Sequence, residues 1–140
     1  MRIFISYGYT GYTIETLNNT VGKLIQTLRN LGYNVFCNLE NDSKYLEEKW
    51  PIKQIMTECF TELDTCDYHI TFVAPTANYL GEGTLIEFGY AKKLKLPTLL
   101  LLPKTFHSVT TKAIADKLIY YDNMDQLLNE LLPNSLKMNK

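Results

Sequence analysis

The sequence predicts a single α/β domain: an open parallel sheet of five strands with helices on both faces. Short β-rich runs alternate with stretches whose apolar residues recur every three or four positions, which is the order that strands joined by crossover helices require. Residues 98–102, Thr-Leu-Leu-Leu-Leu, form an unbroken apolar run of the kind found in a parallel strand covered on both faces. A chain of 140 residues has room for one such core and not for two independent ones.

Residues 2–7, Arg-Ile-Phe-Ile-Ser-Tyr, read as a first and central strand that ends in a loop of turn-forming residues at 8–13. From Thr16, the apolar positions Leu17, Val21, Leu24, Ile25, Leu28 and Leu31 mark an amphipathic helix, with Gly32 at its C-terminal cap. Residues 33–36 give a second strand. Residues 38–49 are polar and acidic without a clean period and are expected to be a long connection. Pro51 suits a helix start, and Ile52, Ile55, Met56, Phe60 and Leu63 supply that helix with an apolar face ending near Asp64. Residues 68–73 are a third strand, followed by a loop at 74–84 and a helix at 85–93. The apolar run at 98–102 is the fourth strand, residues 104–113 a polar loop, 118–121 a fifth strand and 124–132 a closing helix. The domain is expected to span 1–133, with a frayed tail at 134–140. This order is that of flavodoxin-like or Rossmann-like sheets, whose ligands lie beyond the carboxyl ends of the strands where the strand order reverses. The loops at 7–13, 38–50 and 74–84 converge on that edge.

Composition narrows the function. Fourteen basic and fifteen acidic residues leave a formal charge of −1, and neither sign forms a block, so a nucleic-acid partner is not expected. Cys37, Cys59 and Cys66 lack CxxC spacing and suit buried thiols in a reducing compartment. The N-terminus lacks the apolar stretch of a signal peptide, and the most apolar run is too short for a bilayer, so a cytoplasmic protein without a membrane partner is expected. His69 and His107 have no third ligand at metal spacing, so neither a metal nor another cofactor is expected.

Glu87 lies just after a glycine-containing loop, within Gly83-Thr84-Leu85-Ile86-Glu87-Phe88-Gly89-Tyr90-Ala91. Read as a first-turn residue, it would be held charged by the helix N-terminus with a lowered pKa, or it is an exposed glutamate that favours a helix start. Gly89 in mid-helix suggests close packing against something, because glycine there costs about 1 kcal/mol relative to alanine. Asp67, at the entry of the third strand, reads equally as a catalytic acid or a turn residue, and His69 as a packed core histidine. The first loop gathers Ser6, Tyr7, Gly8, Tyr9, Thr10, Gly11, Tyr12 and Thr13. These hydroxyls and backbone N–H groups could cradle a phosphate or hold a sugar, or they could be ordinary turn chemistry; no Walker or GxGxxG spacing is present.

The opening strand, the Asp67-led third strand and above all residues 83–91 followed by Lys95-Leu96-Pro97-Thr98 resemble the nucleoside 2-deoxyribosyltransferase-like family, which includes the 2'-deoxynucleoside 5'-monophosphate N-hydrolases. The resemblance covers roughly residues 2–125. It implies Glu87 as the nucleophile at C1', with Asp67 and Tyr7 as further catalytic residues. It implies sugar or phosphate contacts from Ser6, Gly8, Tyr9, Thr10, Gly11, Asn78, Gly81, Gly83 and Thr84. Ser108 and Thr111 fall in the stretch that, in the hydrolases, reaches a neighbouring subunit's phosphate, so a homodimer or higher homo-oligomer is implied. Asn78 or Glu58 would stand in for an acid that the family carries near its glycine segment.

A weaker resemblance, to TIR domains, rests on Phe4-Ile5-Ser6-Tyr7, residues 31–36 and Tyr79-Leu80 ahead of the Glu87 helix, although the tryptophan usual before that glutamate is missing. The expected function is cleavage or transfer at the N-glycosidic bond of a (deoxy)nucleoside or nucleoside 5'-monophosphate. The alternatives are a TIR-like NAD glycohydrolase and a non-catalytic nucleotide-binding or interaction module.

Overall fold

The computed structural model describes residues 1–8 and 10–137. The chain begins with β1 (Arg2–Tyr7) and a helical run made of α1 (Ile14–Leu17), a π-helical turn (Asn18–Gly22) and α2 (Lys23–Asn30). β2 (Asn34–Cys37), a 3-10 turn (Asn38–Asn41), α3 (Asp42–Glu47) and α4 (Ile52–Asp64) follow. Next come β3 (Tyr68–Phe72), α5 (Glu82–Lys93), β4 (Thr98–Pro103), α6 (Thr110–Ile114) and β5 (Lys117–Tyr121). The chain closes with α7 (Met124–Gln126), a second π-helical turn (Leu127–Leu131) and α8 (Leu132–Lys137).

All strand pairs are parallel, in the order β2-β1-β3-β4-β5. Period-two alternation sorts β1 between two layers. Ile3, Ile5 and Tyr7 join Ile70, Phe72, Leu99 and Leu101 in a core with Leu24, Ile25 and Leu28 of α2 and Leu132 and Leu136 of α8. Phe4 faces the other layer, against Cys59 and Leu63 of α4 and Ala91 of α5. The sheet therefore carries helices on both faces, as the apolar run of β4, buried throughout, predicts.

Local chemistry sets several boundaries. The Thr13 side chain caps α1 by accepting from the Thr16 N–H at 3.1 Å. Gly32 ends the first helical run at φ 95°, a left-handed conformation that glycine adopts without Cβ strain. Pro51 sits in extended backbone as the cap of α4.

Three expectations are corrected. Residues 38–49 are not an unstructured connection: Leu39 and Tyr45 are buried, and the Tyr45 hydroxyl bonds Asn38 and Glu58, so tertiary contacts fold a segment with no period of its own. Part of the predicted 104–113 loop is α6. The tail expected to fray from residue 134 continues as α8, because Leu136 is fully buried in the α2-side core; residues 138–140 lie outside the described residues. Among the described residues no helix is long and apolar enough to cross a membrane.

Candidate active site

The strand order reverses at β1, which has β2 on one side and β3 on the other. The loops that leave β1 and β3 border the crevice expected at such a switch point. A cavity of about 290 Å³ opens there, lined by Gly8, Thr10, Gly11 and Tyr12 from the first loop and by residues 72–74 and 76–81 from the end of β3 and the loop after it. The Tyr121 hydroxyl donates to the Val73 carbonyl at 2.5 Å, tying the start of the second loop to β5.

Beside this crevice lies Glu87, on the face of α5 turned to the sheet and only 7% exposed. The Ser6 hydroxyl donates to Glu87 Oε1 at 2.6 Å, and Ser6 Oγ is 2.8 Å from His69 Nε2. Ser6 lies two residues, about 7 Å along an extended chain, before Gly8 of the cavity lining. One helical turn above Glu87, the Thr84 hydroxyl donates to the Tyr7 carbonyl at 3.0 Å and fastens the start of α5 to the end of β1. Glu87 itself is not among the residues that line this cavity; it is tied to β1 by Ser6 and, through Thr84, by the Tyr7 carbonyl.

The electrostatics of Glu87 differ from expectation. It is the sixth residue of α5, one turn deeper than predicted, where the field of the helix N-terminus has largely fallen away. Burial instead pushes its carboxyl above the usual range, against the downward pull of hydrogen bonds from Ser6 and Cys59. His69 is fully buried, and desolvation pushes it down to about 3, so its ring is neutral. A polar chain continues outward from Cys59: Asn38 Nδ2 lies 2.9 Å from its Sγ, Tyr45 donates to Asn38 Oδ1 at 3.1 Å, and Tyr45 also bonds Glu58. Burial raises the Cys59 thiol to about 12, which leaves it protonated at neutral pH.

The predicted site residues divide into four groups. Gly8, Thr10, Gly11, Asn78 and Gly81 line the cavity. Ser6, Thr84 and Glu87 cluster beside it, with Gly83 in the first turn of α5. Tyr9 lies outside the described residues. Tyr7, Asp67, Ser108 and Thr111 are not brought to the carboxylate within this chain. The Tyr7 ring belongs to the core on the opposite face of the sheet from Ser6, and Tyr7 meets the cluster through its carbonyl. Asp67 is at the wrong end of β3: its carboxylate accepts from the Arg2 N–H at 2.8 Å, a strand length of about 16 Å from the crevice. Ser108 precedes α6 and Thr111 is buried within it, neither at the cavity. The expected close packing at Gly89 is also absent, since a Cβ there would meet nothing within 4 Å.

Sequence reasoning missed His69 as a partner of the site. The available signal was alternation, which puts Phe4 and Ser6 on one face of β1 and, two strands on, His69 and Thr71 on the same face of β3. Among the described residues no group of three or more His, Cys, Asp or Glu could hold a metal ion.

No protein-family model and no curated protein matches the sequence. Solved structures do match. A CMP N-glycosidase of Clostridium botulinum superposes with a TM-score of 0.68 at 20% identity, over 95% of this chain and 99% of that one. A 2-deoxyribosyltransferase of Bacillus psychrosaccharolyticus gives 0.64 at 22% identity, over 92% and 91%. A conserved protein of Enterococcus faecalis gives 0.66 at 15% identity, over 95% and 98%. The resemblance carried by residues 83–91 thus extends to the architecture, and the chain has the fold of these proteins over nearly its whole length.

Proposed function

We propose that this protein cleaves, or transfers across, the N-glycosidic bond of a nucleoside or nucleoside 5'-monophosphate, with Glu87 as the carboxylate at C1'. The observation that carries this reading is a buried carboxylate, Glu87, bonded by Ser6 of the central strand, two residues before the loop whose Gly8 lines the switch-point cavity. That two proteins of the same fold are a CMP N-glycosidase and a 2-deoxyribosyltransferase supports it.

Departure of the base leaves positive charge on the sugar ring. A fixed carboxylate beside C1' stabilises that charge or captures the sugar as a glycosyl ester, which water or a second base then resolves. Gly8, Thr10, Gly11 and Tyr12 offer backbone N–H groups and hydroxyls to the sugar or its phosphate, and Asn78 and Gly81 line the same cavity. Assembly of two or more copies, with Ser108 or Thr111 completing a neighbour's pocket, belongs to the same proposal, as does a cytoplasmic setting.

The test is base release by chromatography from paired nucleosides and 5'-monophosphates, with NAD as a third substrate. Glu87→Gln is expected to fold normally by circular dichroism and to lose at least a thousandfold in rate, the order seen when a reacting group is removed. Turnover retained in that variant rejects the reading. Nicotinamide release from NAD with no cleavage of nucleosides selects a NAD glycohydrolase instead.

A further inference from the structure

The Ser6 hydroxyl has one proton and two buried neighbours that could take it, Glu87 Oε1 at 2.6 Å and His69 Nε2 at 2.8 Å. An ionised carboxylate can only accept, so with Glu87 charged the serine must donate to it. Ser6 Oγ is then left to accept, and the one donor within reach is an N–H on His69 Nε2. Neutral imidazole carries a single ring proton, so Nδ1 must be bare. The surroundings agree: Nδ1 is buried with no hydrogen-bond partner, which leaves a lone pair rather than an N–H unsatisfied. The opposite tautomer would spend the serine proton on His69, and two oxygen lone pairs would face each other at 2.6 Å unless Glu87 were protonated.

We infer that Ser6 and His69 are positioning residues for the Glu87 carboxylate: His69, held as its Nε2–H tautomer, donates to Ser6, which commits the serine proton to Glu87 Oε1. The ring is fixed for this task by aromatic neighbours, Phe4 at 5.8 Å and Phe88 at 6.1 Å between centroids. The three groups come from β3, β1 and α5, so the fold as a whole sets the line. Ser6 is 1% exposed and therefore serves the carboxylate rather than the substrate. In chemical terms the pair opposes the burial that raises the Glu87 carboxyl, and it fixes Oε1 as the oxygen that Ser6 holds. This assignment rests on Glu87 as the reacting group only where turnover is measured.

The groups held against Glu87 are Ser6 of β1, with His69 of β3 behind it, and Cys59 of α4. Two readouts need no substrate. In protein labelled with nitrogen-15 histidine, long-range proton–nitrogen correlation at neutral pH is expected to show His69 as the Nε2–H tautomer, with His107→Gln assigning the second histidine. An Nδ1–H tautomer or an imidazolium at neutral pH overturns the inference. In protein labelled with carbon-13 at the Glu87 carboxyl, Ser6→Ala is expected to bind the proton at least tenfold more tightly, and Ser6→Thr to titrate like the parent. An unchanged titration in Ser6→Ala also overturns it. Where turnover is found, Ser6→Ala is expected to lower kcat about tenfold to a hundredfold with KM within twofold, and to move the acid limb of the profile to higher pH. Equal loss in Ser6→Ala and Ser6→Thr would show packing alone and sink the inference. Retained turnover in Glu87→Gln would remove the proposed reaction while the two spectroscopic readouts still judge the hydrogen-bond line.

Discussion

At position 87, burial and hydrogen bonding act on one carboxyl in opposite senses. Burial is the larger effect and raises its pKa, so the ionised form is reached only above the usual carboxylate range. Activity is expected to fall as pH drops through that raised value, a loss visible as the acid limb of a kcat/KM profile. His69 acts on stability instead. Folded, its pKa is depressed to about 3 from about 6.5, so the unfolded chain binds more protons between those values. The stability held above pH 6.5 is therefore lost as pH falls, by about 1 kcal/mol per pH unit between pH 6 and 5. Glu87 opposes this, because a raised folded pKa favours the folded state as pH falls. Urea midpoints measured across that interval are expected to drop with pH in the parent, and His69→Gln is expected to flatten or reverse the slope. Asp67 tests the opposite kind of residue, since it is exposed and bonded to Arg2 at the far edge of the sheet. Asp67→Asn is expected to keep its rate within twofold and to lose less than about 1 kcal/mol.

Among the elements, α5 and the first helical run show glycine in two different roles. Gly89 is exposed within α5, has ordinary helical backbone and has open space where a Cβ would go. Gly89→Ala is therefore expected to stabilise the protein by about 0.5–1 kcal/mol, read as a rise in thermal midpoint. Gly32, at φ 95°, is expected to behave in the reverse way, with Gly32→Ala costing about 1–2 kcal/mol through left-handed strain. A midpoint that falls for Gly89→Ala would show that this surface is covered in the working protein. The same helix carries Thr84, Glu87 and Phe88 on its buried side, and its starting residue decides how deep Glu87 sits. Because α5 begins at Glu82 rather than at residue 85, the glutamate moves from the first turn to the second, away from the helix end and toward Ser6.

The whole molecule turns two separate loops into one pocket, because the reversal of strand order at β1 leaves a gap that no crossover covers. A ligand that fills it contacts both loops and binds the folded state alone. In Glu87→Gln, a nucleoside 5'-monophosphate at a hundred times its dissociation constant is expected to add about 2.7 kcal/mol of stability, measured as a thermal shift. A shift equal for nucleoside and monophosphate would argue against a phosphate role for the loop at 8–12.

The five strands, the main helices, their order and both layers of core were legible in the chain because each rests on local pattern: period two in β1, period near 3.6 in α2 and α4, glycine and proline at the stops. The fold of 38–49, the depth of Glu87 and the roles of Asp67, Tyr7 and His69 were not legible. Each depends on which end or face of a strand meets which helix, and contacts across 63 or 81 positions of sequence, such as Ser6 with His69 and with Glu87, leave no periodic trace. Residue order determined the strands and helices, and only their packing decided which carboxylate is buried and which serine and histidine hold it, because burial and hydrogen-bond partners exist only once separate segments are brought together.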